Sequence, residues 1–207
     1  MTIWDTVPLI KQSVLIATEE PRMPRADAQR NVDALLAAAK EEFAEHGVDV
    51  NVRAVAARAG VGTATLYRHF PLRSDLIAAV FRHELDECVA AASSIAAEHE
   101  PAEALELWVQ RYRGFLETKR GLAAALHSGD PAYSALPEYF HSTAAPVLGK
   151  LLDDAANAGA IRHGVIPLDL LGAVANLCVP FPGSDPGTAS RMVALLLDGL
   201  RYGADAG

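Results

Sequence analysis

Apolar residues recur at spacings of three and four along most of this chain, the pattern of helices that bury one face. From Asp27 onward, Val32, Leu35, Leu36, Ala39 and Phe43 form such a stripe, and Gly47 marks its end. Asn51 is a good N-cap for a short second helix over 52–59, closed by Gly60. A third short helix is predicted from about Thr63 to Phe70, where Pro71 stops it. A longer fourth helix starts near Ser74, with Ile77, Phe81, Leu85, Cys88, Ala92 and Ile95 along one face. Further helices are predicted over 102–118, 120–127, 136–158 with a kink at Pro146, 167–179 opened by a proline, and 188–201. The fold class is therefore all-α, with about nine helices, a Gly/Pro loop before residue 136 and no strand. Residues 1–24 carry Pro8, Pro21 and Pro24 without a sustained period and are read as a poorly ordered arm.

Composition supports this reading. Ala and Leu dominate, aromatics are only 6% of 207 residues, and 51% of the chain is hydrophobic, which suits helices packed on helices. The longest uncharged apolar runs are interrupted and too short to cross a bilayer. Cys88 and Cys178 stand far apart with no metal-ligand spacing, so a disulfide scaffold and a zinc module are both disfavoured. They are read as small buried hydrophobes in a reducing, cytoplasmic protein, since the N-terminus lacks the pattern of a secretion signal. No metal and no cofactor is expected.

Charge changes the picture more than composition does. The net charge is −8, yet residues 51–74 hold Arg53, Arg58, Arg68 and Arg73 and no acid. A short cationic segment on an acidic body is compatible with DNA, because phosphate contacts depend on local charge. The same segment reads NVRAVAARAGVGTATLYRHF: two short helices joined by a tight turn, a helix-turn-helix. Val52, Val55, Ala56, Ala59 and Val61, with Leu66 and Phe70, would form a small core that fixes the angle between them. The other face of 63–69 is then free to enter a major groove.

This spelling resembles the N-terminal domain of the TetR family of bacterial transcriptional repressors, without a gap from Asn51 through Leu76. With the preceding helix the resemblance covers roughly 28–81. It departs at Gly62, Ala64, Arg73 and Asn51, where serine, glycine, lysine and Ser or Thr are usual. The stretch TKRGLAAAL at 118–126 resembles, more weakly, the ligand domain of the SbtR-like subgroup. The resemblance implies a helix-turn-helix domain at 25–73 and a ligand-binding and dimerisation domain at 74–207.

It also implies roles. Thr63, Ala64, Arg68 and His69 are candidates for base edges, while Thr65 and Tyr67 would hold phosphates through their hydroxyls. Arg53 and Arg73 would add charge-assisted phosphate contacts; Asn51 and Gly62, at the helix starts, complete the candidate interface. Arg25 and Arg30 would reach the backbone or the minor groove. Plainer readings stand beside these: Thr63 and Thr65 as caps, His69 bonded within its domain, Arg58 on a solvated face.

In the body, Leu168, Leu171 and Val174 on one helix and Met192, Val193, Leu196 and Leu200 on the next would overfill a single core. Against a second copy they would form a four-helix bundle, the family's usual homodimer, presenting two reading helices roughly 34 Å apart. Trp108, Tyr112, Phe115, His127, Tyr139 and Phe140 are the candidate liners of a pocket for a small-molecule effector, the aromatics having core packing as their rival reading. The function expected is a sequence-specific repressor released from a double-stranded DNA operator by that effector. The alternative is an all-helical small-molecule binding protein or enzyme with an incidental helix-turn-helix, although no catalytic constellation stands at usable spacing. A DNA-binding protein without an effector is a third reading.

Overall fold

The computed structural model describes residues 25–202, so the arm read at 1–24 and the side chain of Arg25 lie outside the described residues. Nine α-helices follow one another within that span: α1 (Arg25–His46), α2 (Val52–Arg58), α3 (Thr63–His69), α4 (Arg73–Glu98), α5 (Pro101–Gly121), α6 (Ala123–Leu126), α7 (Leu136–Asn157), α8 (Pro167–Leu177) and α9 (Thr188–Arg201). A 3-10 turn, Pro131–Tyr133, sits in the stretch read as a loop. No strand occurs among the described residues.

Local chemistry places the helix ends. Asn51 Oδ1 accepts the Arg53 backbone N–H at 2.9 Å and so caps α2. Gly60 then takes φ +68°, the left-handed turn that a side chain would resist, and the chain re-enters as α3. Asp75 accepts the Leu72 N–H at 3.0 Å, fixing the start of α4. Pro101 and Pro167 open α5 and α8, where a missing N–H costs nothing. Helix α7 continues through Pro146 as one helix rather than two.

One continuous core joins the parts. Leu35, Ala39 and Phe43 of α1 meet Val55 and Ala56 of α2, Leu66 of α3, and Leu76, Ile77 and Val80 of α4. Helix α4 packs on α1 at one end and on α5 and α7 further along, so a single rod connects the helix-turn-helix to the body. An ion pair between Lys40 and Glu84, at 2.6 Å, closes the α1–α4 contact. In the body the aromatics stack: Trp108 lies almost parallel to Tyr112 with centroids 5.9 Å apart, and Phe115 and Phe140 continue the ladder. The Trp108 indole N–H donates to the Cys88 carbonyl at 3.0 Å. Both cysteines are buried, and burial pushes the Cys88 thiol up to about 12.

Two expectations change here. Leu171, Val174, Val193 and Leu200 are each at most 3% exposed, so they fill the protomer's own core and do not face a second copy. The apolar surplus inferred from α8 and α9 is absorbed because α9 presents two stripes. Val193, Leu197 and Leu200 point inward, whereas Leu195 is 73% exposed and Met192 and Leu196 lie half-buried beside it. Leu168 also remains outward.

Candidate DNA-binding interface and ligand cavity

Helix α3 is held by Leu66 and by Phe70 just after it, both buried. With those positions turned inward, helical geometry sends Ala64, Tyr67 and Arg68 outward; all three are exposed, with Thr63 and Thr65 half-buried on the flanks. Gly62 precedes the helix in extended conformation and provides no side-chain cap, so the first N–H groups of α3 stay open to an acceptor. The arrangement suits a phosphate at the helix start and a groove along its outer face.

The four arginines divide into two pairs. Arg58 is engaged within the protomer: its Nε lies 2.7 Å from Glu42, Nη1 3.0 Å from Glu41 and Nη2 2.9 Å from Glu45, all on α1. Hydrogen bonds donated to the Glu45 and Glu41 carboxylates raise the Arg58 pKa, and Arg58 in turn holds the Glu45 carboxyl below its ordinary value. Arg73 turns back onto the α1–α2 connection, where Nη1 donates to the carbonyls of Val48 and, at 2.9 Å, Val50. That nitrogen braces the loop that precedes α2. Arg53 and Arg68 are exposed, and neither makes an ion pair with another described residue. Arg30 pairs with Asp27 one turn earlier.

Two further site candidates each turn an atom to their own domain. The Asn51 side-chain Oδ1 is occupied by the α2 cap. His69 is half-buried, and its Nε2 is enclosed without a hydrogen-bond partner among the described residues, so the imidazole points into the domain.

The body holds a half-open cavity of about 350 Å³ between α4, α5, α7 and α8. Of the six candidate liners, Tyr112, His127 and Phe140 border it; Trp108, Phe115 and Tyr139 do not. Trp108 is fully buried and Phe115 is 2% exposed within the aromatic ladder, which corrects both to core. Tyr139 sits outside the cavity, donating its hydroxyl to Asp86 of α4 beneath Arg82, and its pKa is pushed up to about 12 by burial and that carboxylate. Phe81, Lys119, Tyr133, Leu136 and His141, none of them expected as liners, also border the cavity. The helical stripe of α4 carried Phe81, but nothing local distinguishes a cavity wall from a core face.

Tyr133 is 8% exposed and borders a second cleft as well, shared with Val48, Arg73 and Ile77 at the junction of the helix-turn-helix and the body. One side chain therefore touches both the cavity and the region where Arg73 braces the reading unit. Among the described residues no helix is long and apolar enough to cross a membrane.

Comparison with known proteins agrees with this geometry. Residues 35–80 match the family model for bacterial regulatory proteins of the tetR family, and residues 100–202 match that for the C-terminal domain of SbtR-like transcriptional regulators. No curated protein matches the chain. Among solved structures, the TetR transcriptional regulator SCO0520 from Streptomyces coelicolor is 37% identical, with 82% of this chain and 98% of that one covered and a TM-score of 0.70. A TetR transcription regulatory protein from Mycobacterium vanbaalenii is 31% identical, covering 86% and 99%, with a TM-score of 0.66. The helix-turn-helix, its outward basic face and these relatives place the chain in the TetR family of DNA-binding transcriptional regulators, with an SbtR-like C-terminal domain.

Proposed function

We propose that the protein acts in the cytoplasm as a homodimeric repressor that leaves its DNA operator when a small molecule fills the cavity bordered by Tyr112 and Phe140. The observation that carries this reading is the outward face of α3, where Ala64, Tyr67 and Arg68 are exposed beside an open helix start. Arg68, with Ala64 and Thr63, would read base edges; Tyr67, Thr65 and Arg53 would fix the backbone.

Dimerisation draws support from α9. Its outward stripe of Met192, Leu195 and Leu196 is joined by Gly199, where an added Cβ would meet no atom within 4 Å. A glycine inside a helix costs about 1 kcal/mol against alanine, and nothing in the protomer calls for it. Close approach of a partner helix would. Leu168 on α8 and Val179 just beyond it extend the same apolar character.

Release requires the ligand to favour one arrangement of the two reading units over another. Helix α4 and Tyr133 both reach from the cavity to the base of the helix-turn-helix. A coupling of about 1–3 kcal/mol gives roughly 5- to 150-fold weaker operator binding. A titration of a duplex from beside the protein's own gene tests the reading: two chains per site and release by a cavity ligand are expected. Unchanged operator affinity with the cavity demonstrably filled refutes the repressor-release mechanism.

A further inference from the structure

We infer that the cavity takes a small organic anion with a flat apolar body, an aryl carboxylate of about one ring, and that Lys119 anchors its carboxylate. This rests on the reading of the cavity as the effector site and adds the chemistry of the ligand. The deep wall is apolar and aromatic: Phe81, Tyr112, Leu136 and Leu171 border the cavity and are at most 4% exposed. The ionisable residues nearer the surface are cationic or basic, namely Lys119, His127 and His141, and no Asp or Glu borders the cavity. In a body with twice as many acids as bases from residue 84 onward, that local exclusion of carboxylates is a property of the cavity and not of the surface in general.

Lys119 is the group best placed to meet a charge. Its ammonium lies 5.9 Å from the ring centroid of Phe140, which is itself a wall residue, and it has no ion-pair partner among the described residues. Deeper in, the polar group of Tyr112 is already engaged. The Tyr112 hydroxyl donates to the Leu171 carbonyl at 3.3 Å, and burial raises its pKa, so it adds neither charge nor a free donor. At the mouth, His127 donates its Nδ1–H to the Ala123 carbonyl at 2.9 Å, so that donor is also engaged and Lys119 is left to meet the charge. An anion at the mouth with its ring against Tyr112 and Phe140 satisfies both halves: a charge-assisted hydrogen bond outside, apolar contact inside. A volume of about 350 Å³ is at the small end of ligand sites, which excludes extended multi-ring bodies.

Isothermal calorimetry on the full chain with phenylacetate, phenylacetamide and phenethylamine tests this, since the three share a ring and differ in charge. Phenylacetate should bind about tenfold tighter than the amide, the order expected of one charge-assisted hydrogen bond, and the amine weakest. Lys119→Met should bring acid and amide to near parity, while Lys119→Arg keeps the preference. Gly172→Leu, whose added side chain enters open space at the cavity wall, should abolish all binding. Equal or tighter binding of the amide or amine overturns the inference, as does a preference that survives Lys119→Met. If a neutral or cationic probe binds best and Gly172→Leu blocks it, the cavity reading stands and the anion inference falls. If no probe binds at millimolar concentration, or binding survives Gly172→Leu, both fall.

Discussion

Arg53 and Arg68 differ from Arg58 and Arg73 in what surrounds them, and the difference makes separable predictions. Arg53→Ala should weaken binding to every duplex by a similar factor and reduce the salt slope by about one, as loss of a phosphate contact does. Arg68→Ala should cost about 1–3 kcal/mol on the cognate duplex and relax preference at one base pair. Arg58→Ala should leave the salt slope unchanged, because its guanidinium is turned to Glu41, Glu42 and Glu45. Fluorescence anisotropy against cognate and scrambled duplexes at several salt concentrations distinguishes the three outcomes. The basic stretch was plain in the sequence as a count of arginines, but their division was not. The partners of Arg58 lie 13 to 17 positions upstream, and no local pattern links them to it. The aromatics show the same limit: Tyr112 and Phe115 share a helical stripe, and only packing decides which one borders the cavity.

At the level of elements, the α1–α2 clamp predicts a pH dependence. Glu45 has its folded-state pKa lowered, chiefly by its hydrogen bond from Arg58. Its contribution to stability is therefore full above the unfolded-state pKa and is lost as pH falls through the folded value. In thermal melts, Glu45→Gln should lower the midpoint at neutral pH and converge on the unaltered protein in acid; a constant difference across that range would contradict the assignment. Helix α9 makes a second prediction. Leu195→Glu places a charge on the outward stripe without touching Val193, Leu197 or Leu200, so helicity should persist while light scattering at micromolar concentration shifts from dimer to monomer. A retained dimer would move the interface elsewhere. Helix positions were legible because caps, prolines and glycines are local signals, and most predicted ends fall within a few residues of those observed. Which stripe of α9 faces inward was not, because both stripes are apolar.

For the whole molecule, the position of Tyr133 between cavity and reading unit predicts how the two sites communicate. Tyr133→Leu keeps an apolar side chain there but removes the ring and hydroxyl shared by the cavity and the Arg73 cleft. Ligand affinity and ligand-free operator affinity should each stay within a few-fold of the unaltered protein, while the ligand's effect on operator binding falls toward unity. Undiminished coupling in that variant would assign the transmission to α4 alone. The proposed function requires a symmetric pair of chains to present two copies of the α3 face to successive major grooves. The most direct measurement is a stoichiometric titration of a duplex from beside the protein's own gene, repeated across a salt series and with the Arg53→Ala, Arg68→Ala double variant. Saturation at two chains per site, affinity that falls steeply with salt, and loss of binding in the double variant are expected. Indifference to duplex DNA at low ionic strength, or full affinity in that variant, would contradict it.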